Sequence, residues 1–197
     1  MGRWPTSTME QTMQAVFLDR DGVINENRPD HVKVWDEFRF LPGVPEAMAR
    51  LCQAGVKVFV ITNQAVVNRG LVPRQTVDTI NNLMMRELAS RGAYIEAVAY
   101  CPHRPEEHCG CRKPEPGLLL DLARRYDLDL RDTVLIGDAL SDIEAGQAAG
   151  CRTILVQTGR GTEQLAIALA RGKNGFAVAQ DLAAAVDSLL LATVSVA

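Results

Sequence analysis

Ala15-Val16-Phe17-Leu18-Asp19-Arg20-Asp21-Gly22-Val23-Ile24-Asn25 is the stretch on which the fold turns. Four apolar residues run without a break, and charge then appears at once. A short apolar run closed by a turn signal reads as a buried strand, here residues 16–19. Gly22 lets the chain turn behind it. A polar turn capping an ordinary strand end is the plain alternative. Two carboxylates one residue apart at the mouth of a buried strand are costly, however, unless a cation sits between them. What the rest of the chain supplies decides the matter.

Working outward, apolar runs at residues 56–61, 94–100, 133–136 and 152–156 read as further strands, with 176–178 as a last edge strand. Between them lie helical patterns at 44–54, 73–90, 116–126, 143–149, 162–171 and 183–190. Pro45 is tolerated in a first turn, and Gly55, Gly92 and Gly150 close their helices. Residues 26–41 form a polar connection, which Trp35, Phe38 and Phe40 either tack onto the body or leave solvated. Strands alternating with helices imply an α/β fold, a parallel sheet with helices on both faces in three Rossmann-like layers. No break in composition marks a second domain, so one domain is expected over 14–192 behind a polar tail at 1–13. Ligands of such sheets bind beyond the carboxyl ends of the strands. Asp19, Asp21, Thr62, Asn63, Asp138 and Asp142 fall at those ends, which argues against the plain alternative.

The chain carries a net charge of −3 and 47% hydrophobic residues. That balance gives no sign of nucleic-acid binding or of a polybasic membrane patch. No apolar run is long enough to span a bilayer. Residues 1–14 lack the apolar core of a signal peptide, and Met1-Gly2 with Thr6 fits the myristoylation pattern only loosely. A cytoplasmic monomer with reduced cysteines is therefore expected.

A second signal is Cys101-Pro102-His103, followed by Cys109-Gly110-Cys111. Three thiols and one imidazole in so short a loop suit tetrahedral Zn²⁺, with a disulfide as the weaker alternative. Four protein ligands leave no open position, so this metal is expected to be structural. Cys111 directly precedes Arg112-Lys113-Pro114, so a metal bond would fix the loop that presents two cations. His108 reads as an exposed bystander, and Cys52 and Cys151 as core thiols.

Asp-x-Asp-Gly at 19–22, Thr62, Lys113 and Gly137-Asp138-x-x-x-Asp142, in that order, resemble the haloacid dehalogenase (HAD) superfamily of phosphohydrolases. The chemistry fits independently. A phosphate ester repels a carboxylate, and Mg²⁺ beside Asp19 and Asp138 would offset that repulsion. The resemblance adds the Asp21 backbone carbonyl as a ligand. Asp19 is then the nucleophile and Asp21 the general acid and base. Thr62 and Lys113 stabilise the transferring phosphoryl group. Asp142 either orients its neighbours, acts through water, or simply favours a helix N-terminus.

The zinc loop narrows the resemblance. Asp-Arg-Asp-Gly-Val-Ile-Asn, Thr-Asn-Gln, Arg69-Gly70, Cys-Pro-His and Cys-x-Cys-Arg-Lys-Pro look like the D-glycero-D-manno-heptose 1,7-bisphosphate 7-phosphatase family. The histidinol-phosphate phosphatases share much of this pattern and are the alternative. The resemblance implies a fold with no large cap domain and a small sugar phosphate as substrate. Asn63, Gln64, Arg69 and Arg112 are expected to meet that substrate, the two arginines holding its second phosphate at the rim or the sugar, with a solvated loop arginine as the alternative for Arg69. The C7 phosphate is expected to leave. Ala65-Val66-Val67-Asn68 replaces the family's Ser-Gly-Ile-Ala, Ala139 stands where a lysine is usual, and His31 where a tyrosine is common.

Overall fold

The computed structural model describes residues 13–194. Six strands, β1 (Ala15–Leu18), β2 (Lys57–Asn63), β3 (Ala97–Cys101), β4 (Thr133–Gly137), β5 (Arg152–Val156) and β6 (Ala177–Ala179), form one sheet in the order β3-β2-β1-β4-β5-β6. Every pairing is parallel. The helices are α1 (Val44–Gln53), α2 (Arg74–Ala89), α3 (Gly117–Tyr126), α4 (Leu140–Ala149), α5 (Gly161–Ala170) and α6 (Leu182–Val194). Among the described residues no helix is long and apolar enough to cross a membrane.

The inner strands β1, β2, β4 and β5 are buried on both faces, which is why they read as continuous apolar runs. Val16 and Leu18 point into the larger core, with Val58, Val60, Val134, Ile136 and residues of α1, α2 and α6. Ala15 and Phe17 point the other way, into a core shared with Phe59, Ile61, Leu135 and residues of α3 and α4. This alternation follows from the two-residue period of a strand. All four β1 side chains are fully buried. Burying a large apolar side chain contributes about 1.5–3 kcal/mol, so β1 anchors both layers at once. Leu18 pairs with Val60 on one side and Ile136 on the other. Asp19 therefore emerges at the centre of the sheet's carboxyl edge.

Several boundaries differ from the sequence reading. Met13, placed in the expected tail, is buried against the larger core, while residues 1–12, with the Met1-Gly2 pattern, lie outside the described residues. Helix α4 begins at Leu140, earlier than the apolar pattern indicates. The Asp142 carboxylate accepts the Ala139 N–H at 3.0 Å and caps the first turn. Residues 94–96 precede β3, and Tyr94 is exposed with its N–H and C=O held by Cys52 Sγ. Cys52 is accordingly only part-buried, whereas Cys151 is a core thiol as expected. The 26–41 connection is tacked down. Phe38 is buried, Trp35 stacks on it at 5.0 Å between ring centroids, and Phe40 bridges to Asn25.

Candidate active site

The ends of β1, β2 and β4 and the loop after β3 converge on one buried cluster. Asp19 Oδ1 accepts from the Arg20 N–H at 2.7 Å and faces Lys113 Nζ at 2.9 Å. Lys113 Nζ also pairs with Asp142 Oδ1 at 2.6 Å and donates to the Ile61 carbonyl at 3.0 Å. Asp19, Lys113, Asp138 and Asp142 are all buried. Asp142 makes both contacts at once. One oxygen caps α4 and the other orients Lys113.

The site has more negative than positive charge. Asp19, Asp138 and Asp142 bring carboxylate oxygens within 4.8 Å of one another; against them, among the described residues, stand the buried Lys113 ammonium and the half-exposed Arg160 guanidinium, 3.7 Å from Asp138 Oδ1. Burial pushes the Asp19 carboxyl up to about 7. Lys113 works against this shift, and Asp142 and Asp138 add to it. Burial, reinforced by Asp142, pushes Asp138 up to about 6. For Lys113, burial alone would favour the neutral amine, but Asp142 and Asp19 outweigh it and hold the ammonium above the ordinary lysine range.

These residues fit a hard divalent cation. Asp138 Oδ1 is buried without a hydrogen-bond donor, while Oδ2 accepts the Arg160 N–H at 2.8 Å. The space beside Oδ2 is kept by glycine. A Cβ on Gly22, whose φ is +92°, would sit 2.1 Å from it, and one on Gly159 2.3 Å from it. Oxygen donors and clustered negative charge suit Mg²⁺, and the glycines keep side chains out of the space beside them.

Asp21 is held differently. Arg20 Nη2 donates to Oδ1 at 3.2 Å and Oδ2 at 3.0 Å, Asn25 Nδ2 to Oδ1 at 2.9 Å, and Gln64 Nε2 to Oδ2 at 2.7 Å. Burial pushes this carboxyl up, but Arg20, Asn25 and Gln64 together hold it below the ordinary range. Gln64 Nε2 also donates to Thr62 Oγ1 at 2.9 Å, tying Thr62 to Asp21.

Two expected substrate contacts have other partners. Asn63 Nδ2 donates to the Lys113 carbonyl at 3.0 Å, and its Oδ1 accepts the Lys113 N–H at 3.1 Å. The Asn63 amide is therefore committed to the backbone of the site lysine, and that of Gln64 to Asp21 and Thr62. Arg112 is half-buried, donates Nη1 to the His103 carbonyl at 3.2 Å, and lines a depression of about 440 Å³ with Lys113, His108 and Cys109. His108 is exposed, as expected. Arg69 is exposed, and no described contact joins its side chain to the cluster. Asn68, one of the departures from the family pattern, donates to both Glu107 oxygens, at 3.0 and 3.2 Å. It thereby fastens the loop after β2 to the cysteine loop.

In that loop Cys101, His103, Cys109 and Cys111 face one centre. The Sγ–Sγ distances are 3.2–3.5 Å, and His103 Nδ1 lies 3.4 Å from Cys101 Sγ and 3.3 Å from Cys111 Sγ. None of the three cysteines is disulfide-bonded in the structure. Four arms of about 2.3 Å in a tetrahedron imply ligand spacings of roughly 3.8 Å. Burial pushes the Cys101 and Cys111 thiols up, while backbone N–H groups of Cys111 and Arg112 and the neighbouring thiols overcome burial at Cys109 and bring it down to about 7. The donor set suits zinc.

The sequence reading assigned no role to Arg20, Asn25, Asn81 or Arg160. Asn81 carries the one signal that pointed there, a polar residue at a core-facing position of α2.

Comparison with known proteins agrees with this geometry. A family model for HAD-hydrolase-like proteins matches residues 110–185. The D-glycero-beta-D-manno-heptose-1,7-bisphosphate 7-phosphatase of Bordetella bronchiseptica is 44% identical over 180 residues, covering 90% of this chain and 98% of that protein. A crystal structure of the B. bronchiseptica D,D-heptose 1,7-bisphosphate phosphatase, complexed with magnesium and phosphate, superposes with a TM-score of 0.87 over 91% of this chain and 99% of that one. A Mycobacterium bovis relative, named for the alpha anomer, is 39% identical over 72% of this chain and 78% of that protein. Similarity of this depth over nearly full lengths cannot arise from a shared fold alone. The chain belongs to the D-glycero-D-manno-heptose 1,7-bisphosphate 7-phosphatase family of the HAD superfamily.

Proposed function

We propose that this protein is a Mg²⁺-dependent phosphatase that removes the C7 phosphate of D-glycero-D-manno-heptose 1,7-bisphosphate. The observation that carries the reading is Asp19, a buried carboxylate oriented by Lys113 inside an acidic cluster, in a chain whose near-full-length relatives are named for this reaction. Both contacts to Asp19 fall on Oδ1, which leaves Oδ2 for attack on phosphorus. The product is an aspartyl-phosphate on Asp19. Arg20, Asn25 and Gln64 hold Asp21 ionised in the free site. It takes up a proton from the monoanionic phosphate ester as that binds, gives it to the departing sugar oxygen, and then takes one from the water that releases phosphate. Thr62 and Lys113 stabilise the phosphoryl oxygens, and Asn63 and Gln64 hold Lys113, Thr62 and Asp21 in place. Asp19, Asp138 and the Asp21 carbonyl would hold Mg²⁺, which when bound offsets the charge between nucleophile and phosphate. We place the enzyme in the cytoplasm as a monomer, with a small sugar phosphate as its partner.

The rim supplies specificity in this reading. Arg112, anchored on the cysteine loop, meets the C1 phosphate, with Arg69 as the second cation. Losing a charge-assisted contact costs about 1.5–3 kcal/mol. Arg112→Ala is therefore expected to lower kcat/KM on the bisphosphate by about ten- to a hundred-fold. It should matter far less for a small monophosphate that never reaches the rim. Steady-state kinetics of both proteins on both substrates checks this, and a wild-type preference for histidinol phosphate would overturn the substrate assignment.

Cys101, His103, Cys109 and Cys111 are proposed to hold one structural zinc. Elemental analysis should find about one zinc per chain. Cys109→Ser should lower both zinc content and activity, although it touches no reacting group. A metal-free protein that is ordered and fully active would show that the thiols serve another purpose.

A further inference from the structure

Arg20 is buried to 1% exposure, and Asp21 is the carboxylate it pairs with. A guanidinium taken out of water is expensive, and for stability alone an apolar residue of similar volume serves as well or better. Its surroundings show what it holds. Nη1 donates to Asn81 Oδ1 at 3.0 Å, and Nη2 reaches both Asp21 oxygens. Asn81 is itself 4% exposed and lies among Val77, Ile80, Met84 and Leu88, the other buried residues of α2. The Arg20 carbonyl accepts from Val23, Ile24 and Asn25, so the backbone at the root of the side chain is fixed as well. The guanidinium is thus locked at both ends, by a turn and by a helix.

We infer that Arg20 and Asn81 are positioning residues for the proposed phosphatase reaction, holding the Asp21 carboxyl at the angle from which it serves the sugar oxygen. With Asn25 and Gln64 they support Asp21 from three separate elements, α2, the turn after β1 and the end of β2. The Asp21 side chain nevertheless keeps 23% exposure. It is gripped from within and open on its outer side. A carboxyl allowed to rotate freely would meet the leaving oxygen only part of the time, and proton transfer depends on such placement.

The dependence on leaving group separates this role from a merely structural one. An alkoxide leaves poorly without a proton, whereas dinitrophenolate needs none. With enzyme in excess over substrate, a single turnover reports the first half-reaction alone. The substrates are heptose 1,7-bisphosphate, read by rapid quench, and 2,4-dinitrophenyl phosphate, read by phenolate absorbance. Arg20→Met should slow the sugar substrate by about 10²-fold, within the range supplied by a placed general acid. Its loss on the aryl substrate should be at least about ten-fold smaller. Asn81→Leu should show the same asymmetry with smaller losses, and it carries the test if Arg20→Met does not fold. Arg20→Lys keeps the charge but cannot bridge Asp21 and Asn81, so it should remain impaired on the sugar. Equal losses on both substrates, or full recovery in Arg20→Lys, would overturn the inference. Absence of phenolate release by the wild type would instead count against the phosphatase reading beneath it.

Discussion

Asp19→Asn should abolish phosphate release, a loss on the order of 10⁴-fold or more, because it removes the nucleophile and not an auxiliary group. The fold should survive. Asparagine has the same shape, and its carbonyl oxygen can still accept from the Arg20 N–H. Stability should move the other way from activity. A buried carboxyl whose folded pKa lies above its unfolded value contributes most below the unfolded pKa, and that contribution is lost as pH rises through the folded one. For Asp19 the window runs from about 4 to about 7. At pH 7.5 without divalent ions, the asparagine variant should therefore melt above the wild type, whereas at pH 4 the advantage should vanish. Calorimetry at the two pH values and a phosphate-release assay check both halves. Turnover near the wild-type level, in protein shown to be free of deamidation, would remove Asp19 from its assigned role.

Lys113→Met should damage both stability and catalysis. The ammonium sits between Asp19 and Asp142 and lies 4% exposed. Removing one partner of a buried ion pair leaves uncompensated charge, typically at a cost of about 3–5 kcal/mol. Activity should fall by about 10²- to 10³-fold through lost stabilisation of the phosphoryl oxygens. The two effects separate in a double variant. Lys113→Met with Asp142→Asn has one fewer unpaired charge, so it should regain part of the stability and none of the activity. Urea unfolding followed by kinetics on the same samples gives both numbers. A single variant as stable as the wild type would mean that the buried triad is not the electrostatic unit described above.

The central strand was legible in the sequence because a strand covered by helices on both faces needs an unbroken apolar run, and Ala15–Leu18 is one. The metal-type carboxylates and the cysteine loop were legible because their chemistry depends on spacing along the chain. What escaped depends on direction. Asn63 and Gln64 follow Thr62 at the mouth of β2, and position alone pointed them at substrate. Their amides instead turn to the Lys113 backbone and to Asp21, partners 50 and 43 residues away. The burial of Arg20 has no signal in its own neighbourhood, because the residue that receives its Nη1 lies 61 positions along the chain. That residue, Asn81, stands on the apolar face of α2 between Ile80 and Met84. A polar residue at a core-facing helical position is a readable signal, although its partner is not. Asp142 stayed ambiguous because a carboxylate one turn into a helix is favourable whether or not it also holds a lysine.

The cradle around Asp138 bears on how the chain assembles. Gly22 follows β1, Asp138 follows β4, and Gly159 and Arg160 follow β5. Three strands must lie side by side before that carboxylate has its surroundings, and a hairpin-sized fragment contains none of it. A divalent ion therefore has nothing of this geometry to grasp in an early, partly formed chain. An ion held there would act on the finished sheet, as a lock turned after the door has closed, and would stabilise by mass action on the native state alone.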